Sequence, residues 1–268
     1  MSWMITVVSL CVTLFLPFTK PGWAAGIESI TLPQADTFLA FITAGLVREV
    51  LVKEGDRVEI GTLLAQLVDK AERIELERMI AQADDTTRFE AAVADLQQKR
   101  ADMKKLQQAR EQGAATKLEI EHATLAVTTA ELQVRMEVFQ RLQHQQNRDK
   151  LKAQLERMQI VSSISGVVEE IKIEPGESVE ALAQVIRVVQ NDPLWIDVPV
   201  PLTEGRTLKV GSQVKVSFPE AGTQTVQGRV IHAAAVADAA SATRRVRVEV
   251  PNPHRRIAGE RVLVDVSN

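Results

Sequence analysis

Tyrosine is absent from this chain of 268 residues, and aromatic side chains of all kinds make up only 4% of it. That scarcity argues against a large aromatic-lined ligand pocket. Cysteine occurs once, as Cys11, inside an apolar N-terminal stretch. The rest of the chain therefore has no disulfide, no cysteine nucleophile and no cysteine-based metal site. Neither sign of charge dominates, and a net charge of −3 is too balanced to indicate nucleic acid as a partner or an acidic disordered chain. Proline is missing from Lys70 to Arg157, and glycine occurs there only as Gly113. A stretch of that length with no proline and a single glycine excludes a loop-rich or turn-rich segment.

Catalytic and metal-binding signatures are lacking as well. His122, His144, His232 and His254 are scattered and share no ligand spacing. Met79, Met103 and Met136 fall in the proline-free stretch and Met158 directly follows it, and all four read as packing residues rather than copper ligands. No Ser/His/Asp order, phosphate loop or paired acid cluster stands out. The reading is a non-enzymatic protein with no cofactor and no metal.

What is present begins with the N-terminus. Met4 to Phe18 is mainly apolar, Lys20-Pro21-Gly22 breaks the run, and Gly22-x-Ala24 fits a small-x-small cleavage rule. The run is short for a spanning helix. Residues 1–25 are therefore expected to be a signal peptide, or else an uncleaved N-terminal anchor, since no Lys or Arg precedes the apolar run. Either way the rest of the chain is exported.

The proline-free stretch is rich in Ala, Leu, Gln, Glu, Lys and Arg, which are good helix formers. Gly113 divides it into two arms of about 42 residues, each about 60 Å long at 1.5 Å per residue. Asp69 followed by Glu72 predicts an N-cap for the first arm, Gly113 suits the left-handed position that ends it, and Thr116 with Glu119 predicts a capping box for the second. Phe89, Ala92, Leu96, Met103 and Leu106 step by threes and fours, with Lys99 interrupting. Ile120, Ala123, Val127, Ala130 and Val134 do likewise, and Leu151, Leu155 and Met158 resume the step in a shifted frame. One apolar stripe per arm predicts a two-stranded antiparallel coiled coil with stutters. Such a rod has almost no interior, so its use is reach.

The arms are flanked by two copies of one pattern. Gly45-Leu46-Val47-Arg48-Glu49-Val50-Leu51-Val52-Lys53-Glu54-Gly55-Asp56-Arg57-Val58 matches Gly166-Val167-Val168-Glu169-Glu170-Ile171-Lys172-Ile173-Glu174-Pro175-Gly176-Glu177-Ser178-Val179 in register. Each copy reads as a strand, a glycine turn and another strand, with Gly45, Gly55, Gly166 and Gly176 as turn glycines. One small β-domain whose halves are separated by the helical insertion explains the pair. Beyond Asn191-Asp192-Pro193 the pattern turns to period two. Leu194–Val200, Gln213–Phe218, Thr223–Ile231, Arg245–Val250 and Arg261–Val266 read as strands of a small antiparallel barrel or sandwich.

This order of half-motif, helical hairpin, second half-motif and barrel resembles the periplasmic adaptor proteins of bacterial efflux and secretion systems, also called membrane fusion proteins. The half-motifs are similar to the two halves of a biotinyl/lipoyl domain. Leu194-Trp195-Ile196, Gly211-Ser212-Gln213-Val214-Lys215-Val216 and Thr243-Arg244-Arg245-Val246-Arg247-Val248 are similar to the family's barrel strands. The resemblance implies an α+β fold, with a long antiparallel coiled-coil hairpin inserted into a split lipoyl/biotinyl-like β-domain and a small antiparallel β-barrel after it. The implied boundaries are 26–68 for the start of the barrel and the first half-domain, 69–158 for the hairpin, 159–190 for the second half and 191–268 for the barrel. Joints are expected near Val68-Asp69, Gln159-Ile160 and Asn191-Asp192-Pro193. A further membrane-proximal domain, present in many family members, is not expected here.

The resemblance also implies partners. These are an inner-membrane transporter of the RND or ABC type, an outer-membrane channel at the hairpin tip, and further copies of the chain in a ring at the periplasmic side of the inner membrane. Family tips carry a basic residue and Leu, a second Leu, and Ala-x-Ser across the turn. The positions that match are Lys105, Leu106, Ala109, Gly113, Ala114 and Thr116, with Ala109 in place of a larger residue and Thr116 in place of Ser. Two other readings stay open. Asp69-Lys70-Ala71 imitates the modified lysine of lipoyl carriers, although the helical arms occupy the place where that lysine belongs. An envelope spacer that binds no transporter needs no tip contact at all.

Overall fold

The computed structural model describes residues 26–219 and 224–266. The N-terminal signal or anchor segment lies outside them. The described chain is a mixed α/β structure that divides into two units, residues 36–189 and the remainder. No helix among the described residues is long and apolar enough to cross a membrane.

In residues 36–189 the two half-motifs interlock. The first supplies β2 (Gly45–Val50), β3 (Arg57–Val58) and β4 (Leu63–Leu67), following β1 (Ile27–Ala40). The second supplies β5 (Gln159–Val161), β6 (Gly166–Ile171), β7 (Ser178–Val179) and the start of β8 (Gln184–Pro201). Each half lends a strand to the other: Gly45 of β2 faces Val179 of β7, and Val58 of β3 faces Gly166 of β6. These pairs are exchanged by adding 121 to one number and subtracting it from the other, and the backbone bonds follow the same rule. The Gly55 N–H donates to the Val168 carbonyl and the Gly176 N–H to that of Val47, both at 2.8 Å. The Lys53 N–H donates to the Asp56 carboxylate and the Glu174 N–H to that of Glu177.

The buried core repeats too, in Val47 and Val168, Val58 and Val179, Leu64 and Val185, and Leu67 and Val188. Apolar burial therefore joins two segments that are far apart in sequence, and neither half closes a core alone. At the turns Gly55 and Gly176 have φ of +89° and +87°, a conformation that favours glycine.

Between the halves stand α1 (Lys70–Asp84), α2 (Thr87–Glu111) and α3 (Lys117–Glu156). α1 and α2 both pack along α3, and Arg100 of α2 reaches Glu131 of α3 at 2.7 Å. The sequence predicts one unbroken first arm, whereas the structure breaks it at Asp85-Thr86. Asp85 takes an extended conformation, with φ −67° and ψ 113°, and its carboxylate accepts the Thr87 N–H at 2.9 Å, satisfying one of the free donors that open α2. The predicted cap at Asp69 also differs. Asp69 is the residue before α1, but its side chain makes no capping bond. Its buried carboxylate instead binds Arg48 of β2 at 3.1 Å and Arg73 of α1 at 2.7 Å, tying the first turn of the arm to the sheet beneath it.

The second unit is a six-stranded antiparallel barrel in the order β1, β12 (Arg261–Asp265), β9 (Gln213–Phe218), β10 (Gln224–Ala233), β11 (Thr243–Val250) and β8, with β1 also paired to β8. A short helix, α4 (Leu202–Gly205), follows β8. The barrel interior is mostly valine, including Val198, Val200, Val214, Val216, Val230, Val246, Val248, Val262 and Val264, with Ile196, Leu208 and Phe218 among them. β-Branched side chains at every second position suit a narrow barrel. A Cβ at Gly228 would lie 2.5 Å from a methyl of Val248, so only glycine fits there. The sequence predicts a joint at Asn191-Asp192-Pro193; the division between the two units falls just before it, between Val189 and Gln190, and β8 is continuous through both. Buried Asn252 holds the segment: its side-chain amide donates to the Asn191 carbonyl at 2.8 Å, and its backbone N–H donates to the Asp192 carboxylate at 3.0 Å.

Candidate functional site

The hairpin tip is built by two helix ends meeting head to tail. α2 stops in a six-residue C-cap, with the Ala114 N–H donating to the Ala109 carbonyl at 2.8 Å and the Gly113 N–H to that of Arg110 at 2.9 Å. Gly113 takes φ +77°, the left-handed conformation this cap requires. Two residues on, Thr116 opens α3 with a full capping box. Its hydroxyl accepts the Glu119 N–H at 3.3 Å, and the Glu119 carboxylate accepts the Thr116 N–H at 2.7 Å. That backbone bond, with the hydroxyl bond beside it, holds the Glu119 carboxyl below the usual carboxylate range.

The sequence-predicted tip residues fall into two groups. Leu106 and Ala109 are half-buried on the side of α2 that meets α3. Lys105, Gly113, Ala114 and Thr116 face solvent, and Lys105 has only a long 3.9 Å contact to Asp102. The Thr116 hydroxyl is committed to the cap, since it also donates to Glu119 at 2.8 Å. Sequence reasoning passed over Leu118, which is 60% exposed one turn past the tip. Its signal was present: it lies outside the stripe that starts at Ile120, so it has no seam to bury it.

Lys70 is the first residue of α1 and is exposed. It sits on a helical turn rather than on a tight strand-to-strand turn of the kind that presents a modified lysine. Among the described residues no group of three His, Cys, Asp or Glu side chains is placed to hold a metal ion.

On the barrel, Asp197 of β8 receives both ends of the Arg247 guanidinium from β11, at 2.7 and 2.8 Å, and that guanidinium lies 4.7 Å from the Trp195 ring centre. The Arg247 bonds hold the Asp197 carboxyl below its ordinary range against the opposing effect of partial burial. This cluster fixes the β8–β11 pairing and offers no open reactive group.

Residues 193–263 match the family described as the CusB-like β-barrel domain. No curated protein matches the sequence. Among solved structures, the chain is similar to MacA from Actinobacillus actinomycetemcomitans at 14% identity and a TM-score of 0.70, over 89% of this chain and 76% of that one. It is also similar to the membrane fusion protein Spr0693 from Streptococcus pneumoniae R6, at 15% identity and a TM-score of 0.57, over 90% of this chain and 99% of that one. A MacA–MexA chimera carrying the Pseudomonas aeruginosa MexA α-hairpin domain aligns at 15% identity and a TM-score of 0.54, over 90% and 80% of the two chains. At these identities the likeness is one of fold. Residues 193–263 thus resemble a CusB-like β-barrel domain, and the chain shares its fold with MacA and with the membrane fusion protein Spr0693.

Proposed function

We propose that this chain is the periplasmic adaptor subunit of an efflux or secretion system. It links an inner-membrane transporter of the RND or ABC type to an outer-membrane channel. One observation carries the reading: a CusB-like barrel and a long helical arm with a sharply capped tip occur together in a single chain. The interlocked half-motifs act as the lipoyl-like domain at the base of the arm, and α1, α2 and α3 form the coiled-coil hairpin. Copies assemble as a ring around the transporter, with residues 1–25 directing export or anchoring the chain.

The tip is the contact for the channel. Lys105, Ala114 and Thr116 present its surface, Leu106 and Ala109 support it from the seam, and Gly113 lets the chain reverse within a few residues. No bond chemistry is assigned to the chain. Its work is reach, docking and assembly, and the partner pump supplies the energy.

The test is affinity purification of the tagged full chain from gently solubilised envelopes of its native cells. Recovery of a transporter and an outer-membrane channel together is the predicted result. Recovery of neither, from envelopes in which both are intact, overturns the reading in favour of a spacer. A lipoyl adduct on Lys70 in the same sample, found by mass spectrometry, overturns it in favour of a carrier protein.

A further inference from the structure

α3 has two apolar faces, and the described residues cover only one of them. Val127 and Ala130 are buried against the first arm. On the opposite side Leu118, Leu125, Leu132, Met136 and Phe139 each leave half or more of their surface to solvent, from 50% at Leu132 to 65% at Leu125. Leu118, Leu125, Leu132 and Phe139 recur every seven residues, so they form one straight stripe of the kind that packs on another helix.

The outer face of α2 has a matching row. Thr87, Ala94, Ala101 and Gln108 also recur every seven residues and are all exposed. With alanine at its centre this row offers depressions where α3 offers knobs.

The charges beside the two rows agree with this match. Glu121 and Arg135 border the α3 stripe on the side of the hairpin that carries the Arg100–Glu131 ion pair. Glu90 and Lys104 border the α2 row on the same side. Among the described residues neither Arg135 nor Lys104 has an ion-pair partner, and Glu121 has only a 3.5 Å contact to Lys117.

We propose that these two faces meet between copies of this chain, with the outer face of α3 in one copy seated on the outer face of α2 in the next and both hairpins pointing the same way. One register satisfies everything at once. It sets Leu125 against Ala101 and Leu132 against Ala94, with Leu118 and Phe139 over Gln108 and Thr87. Within about one residue rise, about 1.5 Å, it also sets Arg135 against Glu90 and Glu121 against Lys104. The contact is heterologous, so it propagates from copy to copy and closes into a ring when the rotation allows. It rests on the reading of the chain as an oligomeric adaptor and gives that ring its seam, but it does not need the tip to bind a channel.

Disulfide trapping of the full chain in a Cys11→Ser background tests the seam. Ala94 and Leu132 lie on opposite outer faces of one hairpin, so Ala94→Cys and Leu132→Cys in the same chain cannot bond to each other. Combined, they yield a ladder of dimers, trimers and larger species under oxidation, whereas each alone yields none. Leu132→Asp weakens self-association by ten-fold or more in sedimentation, with the helical circular dichroism unchanged because the site is exposed. Lys104→Glu weakens it several-fold, and adding Glu121→Lys restores it. Disulfide dimers from Leu132→Cys alone would show α3 packed on α3 and overturn the register. A monomer at every soluble concentration, or an oligomer indifferent to Leu132→Asp, overturns the seam itself. Loss of the seam with tip capture intact sinks only this inference, and loss of tip capture with the seam intact sinks only the channel contact.

Discussion

At the scale of single residues, three positions show how local chemistry sets the geometry. Gly228 sits where a Cβ would lie 2.5 Å from Val248 and 3.2 Å from Val216 and Val250. Gly228→Ala should therefore overpack the barrel and cost about 1–3 kcal/mol, read as a lower midpoint in urea melts followed by Trp195 fluorescence. Asp197 has its carboxyl held below the ordinary aspartate value by the Arg247 guanidinium. A depressed carboxyl stabilises the fold above its unfolded value of about 3.9 and loses that contribution as pH falls through the lower folded value. Asp197→Asn should thus be less stable than the parent at pH 7, and the gap should close below about pH 4. Parallel thermal melts across that range check it, and a gap that stays constant would contradict the assignment. The sequence named Asp69 as a cap because Glu72 follows three places on, but no rule of spacing foresees Arg48, 21 residues earlier, as its partner. The buried carboxylate went to the strongest donors within reach, and two guanidinium groups outcompete backbone N–H groups.

At the scale of elements, the tip was readable because its two caps are local. Gly113 and Thr116-x-x-Glu119 fix the backbone within eight residues, and the structure follows them. Thr116→Ala should cost about 1 kcal/mol of helix-end stability and speed amide exchange at Lys117 to Glu119, while Thr116→Ser should leave both near the parent values. Equal exchange in Ala and Ser variants would contradict the capping role. The break at Asp85-Thr86 was not readable. Asp and Thr are only mildly poor helix formers, and what decides the matter is one side-chain bond from Asp85 to the Thr87 N–H. Asp85→Ala should remove that bond and raise exchange at the start of α2, near Thr87 to Glu90, without affecting α3. The outer stripe of α3 was present in the sequence at a strict seven-residue spacing. Spacing alone does not separate it from the buried stripe, because both faces of α3 carry apolar residues at helical intervals.

At the scale of the whole molecule, long-range order was the most legible feature. The half-motifs announced themselves by repeating Gly, Val, Glu, Gly and Val in the same places, and in the structure their strands pair across the insertion in that same correspondence. The barrel strands were legible from period-two valines, and their ends fall within a few residues of the expected ones, apart from the continuity of β8 through Pro193. What the sequence withheld is whatever depends on the proposed partners: which surfaces of the arm would face a second copy, and what the tip would meet. Arms with so little interior leave the proposed function to contacts with other molecules, and those contacts are where it can be tested.

The most direct test is in-cell crosslinking from the tip. Cys11 is the only cysteine in the chain, so a Cys11→Ser background leaves Gln112→Cys and Lys117→Cys as the sole reactive thiols. The account predicts that both capture an outer-membrane channel protein, while probes at mid-arm positions such as Lys150→Cys do not. Silence from both tip probes, with the channel present and the chain assembled, would contradict the claim that this hairpin ends on a channel.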